Sequence, residues 1–133
     1  MTEQSKNTMT YNPYWEHIGL REVELKDGHA VLELPIIHEV TQSRQNVHGG
    51  VIASMVDAAV GAALRSLLEV GNAGVTVEMK LNYLRPANGK KLIAKGEIIK
   101  KGGSLAVGNA VIENDAGDEV AAGMVTYMIK SKK

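Results

Sequence analysis

The chain has 133 residues, enough for one domain with a substantial core but leaving little room for a second. Hydrophobic residues make up 44%, which excludes global disorder, and 15 basic against 15 acidic side chains remove the positive excess expected of a nucleic-acid-binding protein. With no cysteine, disulfides, thiolate metal sites and thiol nucleophiles are excluded, and a cytoplasmic location is expected.

Residues 1–10 are polar and lack the apolar stretch of a secretory signal, so they are read as a mobile tail on one domain covering 1–133. In the aromatic segment Tyr11–His17, Asn12 is placed to cap a short helix that Pro13 begins. Its rings are expected to plug one end of the core. Leu20–Leu25 and Ala30–Leu34 alternate apolar and polar residues on either side of Asp27-Gly28, a strong hairpin signal. His29 is then a solvated turn residue, and Pro35 ends the second strand. Ile36–Gln45 reads as irregular.

A helix is predicted over Gly49–Val70. Apolar residues fall on all its sides, the signature of a buried helix, and its many Ala and Gly residues make it thin enough for other elements to wrap closely. Asp57 and Arg65 interrupt the apolar run, and a membrane span would rarely hold both. An ionised carboxylate in such a setting costs several kcal/mol unless it is paired or hydrated, so Asp57 needs either a structural partner or a task. Arg65, eight residues on, is too far along the same helix to bridge to it.

After Gly71-Asn72-Ala73-Gly74 the period changes to two. Val75–Leu84 places Val75, Val77, Met79, Leu81 and Tyr83 on one face. Three further strands, Lys91–Lys100, Ser104–Glu113 and Glu119–Ile129, are separated by turns at Lys101-Gly102-Gly103 and Asn114–Asp118. Two strands, one long helix and four strands in a meander predict an α+β fold: an antiparallel sheet of five to six strands wrapped around one central helix. One such layer leaves open sheet edges, so two chains are expected to pair edge to edge as a homodimer.

Within this order, His48-Gly49-Gly50 opens the helix, Gln42 lies six residues upstream of the histidine, Asp57 nine residues downstream, and Val75-Thr76-Val77-Glu78-Met79 opens the next strand. In these residues the chain resembles the hotdog-fold acyl-CoA thioesterases, most closely the phenylacetyl-CoA thioesterase-like branch of the 4-hydroxybenzoyl-CoA thioesterase superfamily. The Asp-x-Asn-x-x-His motif of the related hydratase branch is absent. The resemblance implies hydrolysis of acyl- or aryl-CoA, with CoA as part of the substrate and no further cofactor or metal. It implies that Asp57 is the nucleophile or general base, that the Gly49 amide polarises the thioester carbonyl, and that Gln42 orients the thioester or the water. It also implies that Thr76 helps hold the water and that His48 positions the reacting groups. Gly50, Asn46, Arg85 and Lys101 are the substrate-binding candidates, the last two for CoA phosphates. The family builds its sites between two subunits, often in dimers of dimers.

Elementary chemistry agrees with these assignments. Thioester hydrolysis needs a group to activate water or attack the carbonyl, and donors for the developing oxyanion. Amides at a helix N-terminus are unpaired and sit at the positive end of the dipole, and glycine permits close approach. Gly49 and Asp57 are eight residues apart, about 12 Å along a helix at 1.5 Å per residue, so one carbonyl cannot touch both. Gly49, His48 and Gln42 are therefore expected from one subunit, Asp57 and Thr76 from the other. The competing readings are a non-catalytic acyl-CoA-binding protein and a scaffold using the fold only for its dimer surface. The bland alternatives are a structural Asp57, solvated edge cations at Arg85 and Lys101, and aromatic rings that serve the core rather than an acyl pocket. His17 and His38 lack a second ligand at metal spacing and are read as ordinary.

Overall fold

The computed structural model describes residues 12–131, so the tail expected at 1–10 lies outside the described residues. The chain opens with α1 (Pro13–Ile18), where Asn12 Oδ1 accepts the Trp15 amide at 3.1 Å and Pro13 takes the first turn. Strands β1 (Arg21–Lys26) and β2 (His29–Pro35) follow. Asp27 and Gly28 between them have φ of +47° and +82°, the paired positive values of a type I′ turn. A 3-10 turn at His38–Val40 leads to α2 (Gly49–Arg65), then β3 (Ala73–Tyr83), β4 (Lys91–Lys101), β5 (Leu105–Asn114) and β6 (Glu119–Lys130).

The six strands form one sheet in the order β1-β2-β4-β5-β6-β3, every pair antiparallel. The last four strands are thus not a simple meander. Only β4-β5-β6 is one; β3 crosses to the far edge beside β6. With β3 there, β4 is free to pair with β2, and a single curved sheet packs against α2 from all six strands.

Burial of α2 departs from the all-round pattern expected. Met55, Val56, Ala59, Val60, Ala62, Ala63 and Leu64 are buried, while Ala53, Ser54, Asp57, Ala58, Gly61 and Arg65 form a half-exposed stripe. Apart from Asp57 and Arg65 the residues on that stripe are small, which is why composition alone does not separate it from the core. The helix also ends at Arg65 rather than Val70. Ser66 Oγ donates to Ala63 O and accepts the Gly28 amide, both at 2.7 Å, which pins the helix end to the β1–β2 hairpin. Leu67 and Leu68 then bond back three residues, to Leu64 O and Arg65 O, and tighten the chain out of the α-helix.

The face assigned to β3 also needs correction. The β3–β6 register shifts between Thr76 and Glu78, a β-bulge that reverses the alternation. Gly74 and Thr76 therefore face α2 together with Met79, Leu81 and Tyr83, while Val75 and Val77 point outward, 42% and 52% exposed.

Two strand glycines set the distance between sheet and helix. A Cβ on Gly96 of β4 would lie 2.6 Å from Ala59 O, and one on Gly108 of β5 would lie 2.7 Å from Val60 Cγ1. Gly96→Ala must move backbone and is expected to cost about 1–3 kcal/mol. Gly103→Ala, in a turn with nothing within 4 Å, is expected to stay within about ±0.5 kcal/mol. Urea midpoints of the two variants at unchanged slope measure the contrast.

Candidate active site

The first half of the site is the loop that enters α2. His48 N donates to Val40 O and Gln42 N to Asn46 O, both at 2.8 Å, with Thr41 bridged to Val47, so residues 40–48 close as a narrow ladder. Gln45 holds φ +70° at its tip. This brings Gln42 opposite Asn46, two residues before His48. Gln42 Oε1 accepts the Arg44 amide at 2.5 Å, leaving the carboxamide nitrogen as its available donor. Asn46 Oδ1 accepts from Asn88 Nδ2 at 3.1 Å, and Val47 N donates to Ala87 O at 2.8 Å. Asn46 is thus a tie between two loops.

His48 caps the helix: its Nδ1 accepts the Gly50 amide at 2.8 Å. An accepting Nδ1 puts the ring proton on Nε2, so the imidazole presents an N–H from an exposed position. The two glycines consequently differ. The Gly50 amide is engaged by His48, whereas the Gly49 amide has no acceptor among the described residues. On its other side, Gly49 O accepts the Tyr83 hydroxyl at 2.7 Å, and a Cβ on Gly49 would sit 3.3 Å from that oxygen. The close seat of Tyr83 thus favours glycine at 49. The result is one free donor at the positive end of a helix, suited to a developing oxyanion.

The second half lies two turns further along the open stripe. Asp57 Oδ1 accepts Thr76 Oγ1 at 2.8 Å and the Tyr127 hydroxyl at 2.5 Å; the same hydroxyl is 2.6 Å from the Asp57 main-chain oxygen. Thr76 reaches the carboxylate because the β3 bulge turns it inward. Burial pushes the Tyr127 phenol well above the usual tyrosine range, and the hydrogen bond and negative charge of Asp57 add to the shift, so it remains a neutral donor. Arg65 is ion-paired with Glu22 of β1.

Other expected positions are scattered. Arg85 donates to Glu119 O just beyond β3, at the end of the sheet where α2 begins. Lys101 lies at the β4–β5 turn, at the opposite end, where Ser66 closes α2 against Gly28. One chain therefore does not bring Arg85 and Lys101 together. His17 and His38 are exposed, and among the described residues no three His, Asp or Glu side chains are grouped to hold a metal. The aromatic segment divides its duties: Trp15 packs on the core, while the Tyr14 hydroxyl is 2.9 Å from Ser54 Oγ on the open stripe. Tyr11 lies outside the described residues.

Tyr127 is the residue that reading the sequence missed. Its signals were weak: an inward position in the alternation Val125-Tyr127-Ile129, and Gly61 one turn after Asp57, where a side chain would meet the phenol.

Residues 44–121 match the model of the family described as the thioesterase superfamily. Acyl-coenzyme A thioesterase 13 of Homo sapiens is 31% identical over 101 residues, 75% of this chain and 71% of that protein. A thioesterase family protein of Silicibacter pomeroyi superposes with a TM-score of 0.84 at 32% identity, over 89% of each chain. The BH2602 protein of Bacillus halodurans, solved with CoA, superposes with a TM-score of 0.74 at 30% identity, over 75% of this chain and 66% of that one.

The raised phenol pKa has a stability consequence with a definite sign. Below about pH 10, the usual tyrosine value, folded and unfolded chains both keep the proton and the full contribution is present. Above it the unfolded chain releases its proton first, so stability is lost as pH rises toward the folded value. The stability advantage of wild type over Tyr127→Phe is expected to be flat between about pH 7 and 9 and to fall by up to ~1.4 kcal/mol per pH unit above about 10. Urea titrations of both proteins across this range measure it.

Proposed function

The chain belongs to the thioesterase superfamily and is a thioester hydrolase; on that premise we propose that it cleaves acyl- or aryl-CoA to the free acid and CoA, with Asp57 as the reacting carboxylate. The observation that carries this reading is the state of Asp57: a carboxylate on the open stripe of a largely apolar helix, held among the described residues by hydroxyls and not by a cation. The CoA in the Bacillus halodurans relative and the acyl-CoA named for the human one support the substrate class.

Two courses use the same placement. As general base, Asp57 takes a proton from water while the water oxygen attacks the thioester carbonyl; collapse of the tetrahedral intermediate expels the CoA thiolate, which is then protonated. As nucleophile, a carboxylate oxygen attacks directly, CoA thiolate leaves, and water hydrolyses the resulting anhydride. In either course the Gly49 amide stabilises the oxyanion, His48 Nε2–H and the Gln42 carboxamide orient the thioester or the water, and Thr76 retains its oxygen as an acceptor for water. Asn46 shapes the loop and Gly50 keeps it close to the substrate. The chemistry draws on water and these groups without metal or further cofactor. The absence of cysteine suits a cytoplasmic enzyme.

The active form in this reading is a homodimer, with the option of a dimer of dimers. About 12 Å of helix separates Gly49 from Asp57, so the two halves that meet on one substrate come from different chains. The edges of the sheet differ in a way that supports pairing through β3. β1 is six residues long and charged at Arg21, Glu22, Glu24 and Lys26, features that discourage pairing. β3 runs for 11 residues, of which only Glu78 and Lys80 are charged, and exposes Val75 and Val77. Antiparallel β3–β3 pairing sets the Arg85 end of one chain beside the Lys101 end of its partner, which keeps both as candidates for the CoA phosphates.

Thiol release from acetyl-, hexanoyl-, palmitoyl-, benzoyl- and phenylacetyl-CoA tests the activity. Asp57→Asn, folded by circular dichroism, is expected to lose at least about 10²–10⁴-fold in rate; full activity would sink the assignment. Binding of these thioesters without release would mark a non-catalytic binder instead. A purified heterodimer of one Asp57→Ala and one Gly49→Val chain retains one intact composite site and is expected to show about half the wild-type dimer rate, far above either parent. A heterodimer no faster than its parents rules out shared sites.

A further inference from the structure

The two oxygens of Asp57 are not equivalent. Oδ1 accepts from both Thr76 and Tyr127, at 2.8 and 2.5 Å, while no described residue donates to Oδ2. We propose that Tyr127 is a positioning residue for the hydrolysis: with Thr76 it fixes Oδ1, leaving Oδ2 as the oxygen that takes the proton from water or attacks the thioester, and Gly61 is glycine because it seats the Tyr127 hydroxyl. This rests on Asp57 being the reacting carboxylate, as proposed above.

The need for such a clamp is physical. The terminal torsion of an aspartate is broad, and Asp57 lies on the half-exposed stripe, where a carboxylate held by one donor would swing. Attack or proton transfer tolerates little misplacement; an error near 1 Å costs up to about 10²-fold. Tyr127 supplies a rigid lever. Its ring is 5% exposed within β6, and its hydroxyl touches Asp57 twice, at Oδ1 and at the main-chain oxygen 2.6 Å away. The hydroxyl is therefore registered to the helix backbone as well as to the side chain it holds.

Gly61 is the second observation. It stands one helical turn after Asp57 on the same stripe, and a Cβ there would lie 2.7 Å from the Tyr127 hydroxyl oxygen and 3.3 Å from Cζ. A methyl group at 61 thus displaces the phenol, and through it the carboxylate, without itself touching Asp57. A tyrosine that only filled the core would be replaced by phenylalanine without kinetic effect.

The experiment measures kcat and KM on the fastest substrate of the five-thioester panel for wild type, Tyr127→Phe, Gly61→Ala, the Tyr127→Phe/Gly61→Ala double variant and Asp57→Asn. Tyr127→Phe and Gly61→Ala are each expected to lower kcat by about 10–10²-fold with KM within about twofold. The double variant should match Tyr127→Phe alone and not the product of the two losses, because phenylalanine removes the atom that the methyl displaces. If Gly61→Ala alone does not fold, the double variant should fold; failure of both overturns the seat.

The outcomes separate the claims. Wild-type kcat in Tyr127→Phe, or a loss confined to KM, overturns the positioning role while an inactive Asp57→Asn leaves the catalytic carboxylate standing. Multiplicative losses in the double variant overturn the link through Gly61. Full rate in Asp57→Asn, or no turnover of any thioester by wild type, removes the underlying reading and this inference with it.

Discussion

The close approach of α2 to the sheet is the constraint on which the remaining features depend. Where the helix crosses β4 and β5, glycines 96 and 108 have no room for even a methyl group. Small residues on both sides bring the helix backbone near the strands, and at that distance short polar side chains reach across. Thr76 of β3 touches Asp57 directly, with no water between them. The Tyr127 hydroxyl arrives in the gap left by Gly61. A helix of larger residues would sit further out and leave Asp57 to solvent.

That packing divides the polar groups of α2 into two sets with different electrostatic character. At the N-terminus the helix offers an amide donor, because His48 occupies Gly50 N–H but not Gly49 N–H. Two turns on it offers a carboxylate held by hydroxyls, donors that leave its negative charge intact where a cation would have neutralised it. Arg65, the nearest candidate cation on the helix, is drawn off by Glu22 of β1. A donor set and an acceptor set on one rigid rod remain separated by the length of that rod.

The open stripe of α2 and the exposed β3 edge are two sides of the same unfinished surface. The sheet leaves the helix half-exposed along Ala53, Ser54, Asp57, Ala58, Gly61 and Arg65, and the strand that borders the carboxylate, β3, is a long edge strand that exposes Val75 and Val77. The opposite border carries α1, whose Tyr14 leans on Ser54. A substrate laid along the stripe would meet small side chains as its floor and a hydroxyl or aromatic group at each border.

Much of the local structure was legible in the sequence because its causes are local. Asp27-Gly28 announces a turn with two positive φ values, Asn12-Pro13 announces a capped helix start, and the run from Gly49 announces a helix in an α+β fold. His48, Gly49 and Asp57 stand out because their residue types conflict with their surroundings. What tertiary structure alone decided depends on partners distant in the chain. The order of the strands follows from which edge β3 can reach, and the end of α2 from the grip of Ser66 on Gly28. The inward turn of Thr76 follows from a bulge that period-two reading does not reveal. Tyr127 meets Asp57 across 70 residues of sequence, a contact that exists only because β6 and α2 pack at glycine distance.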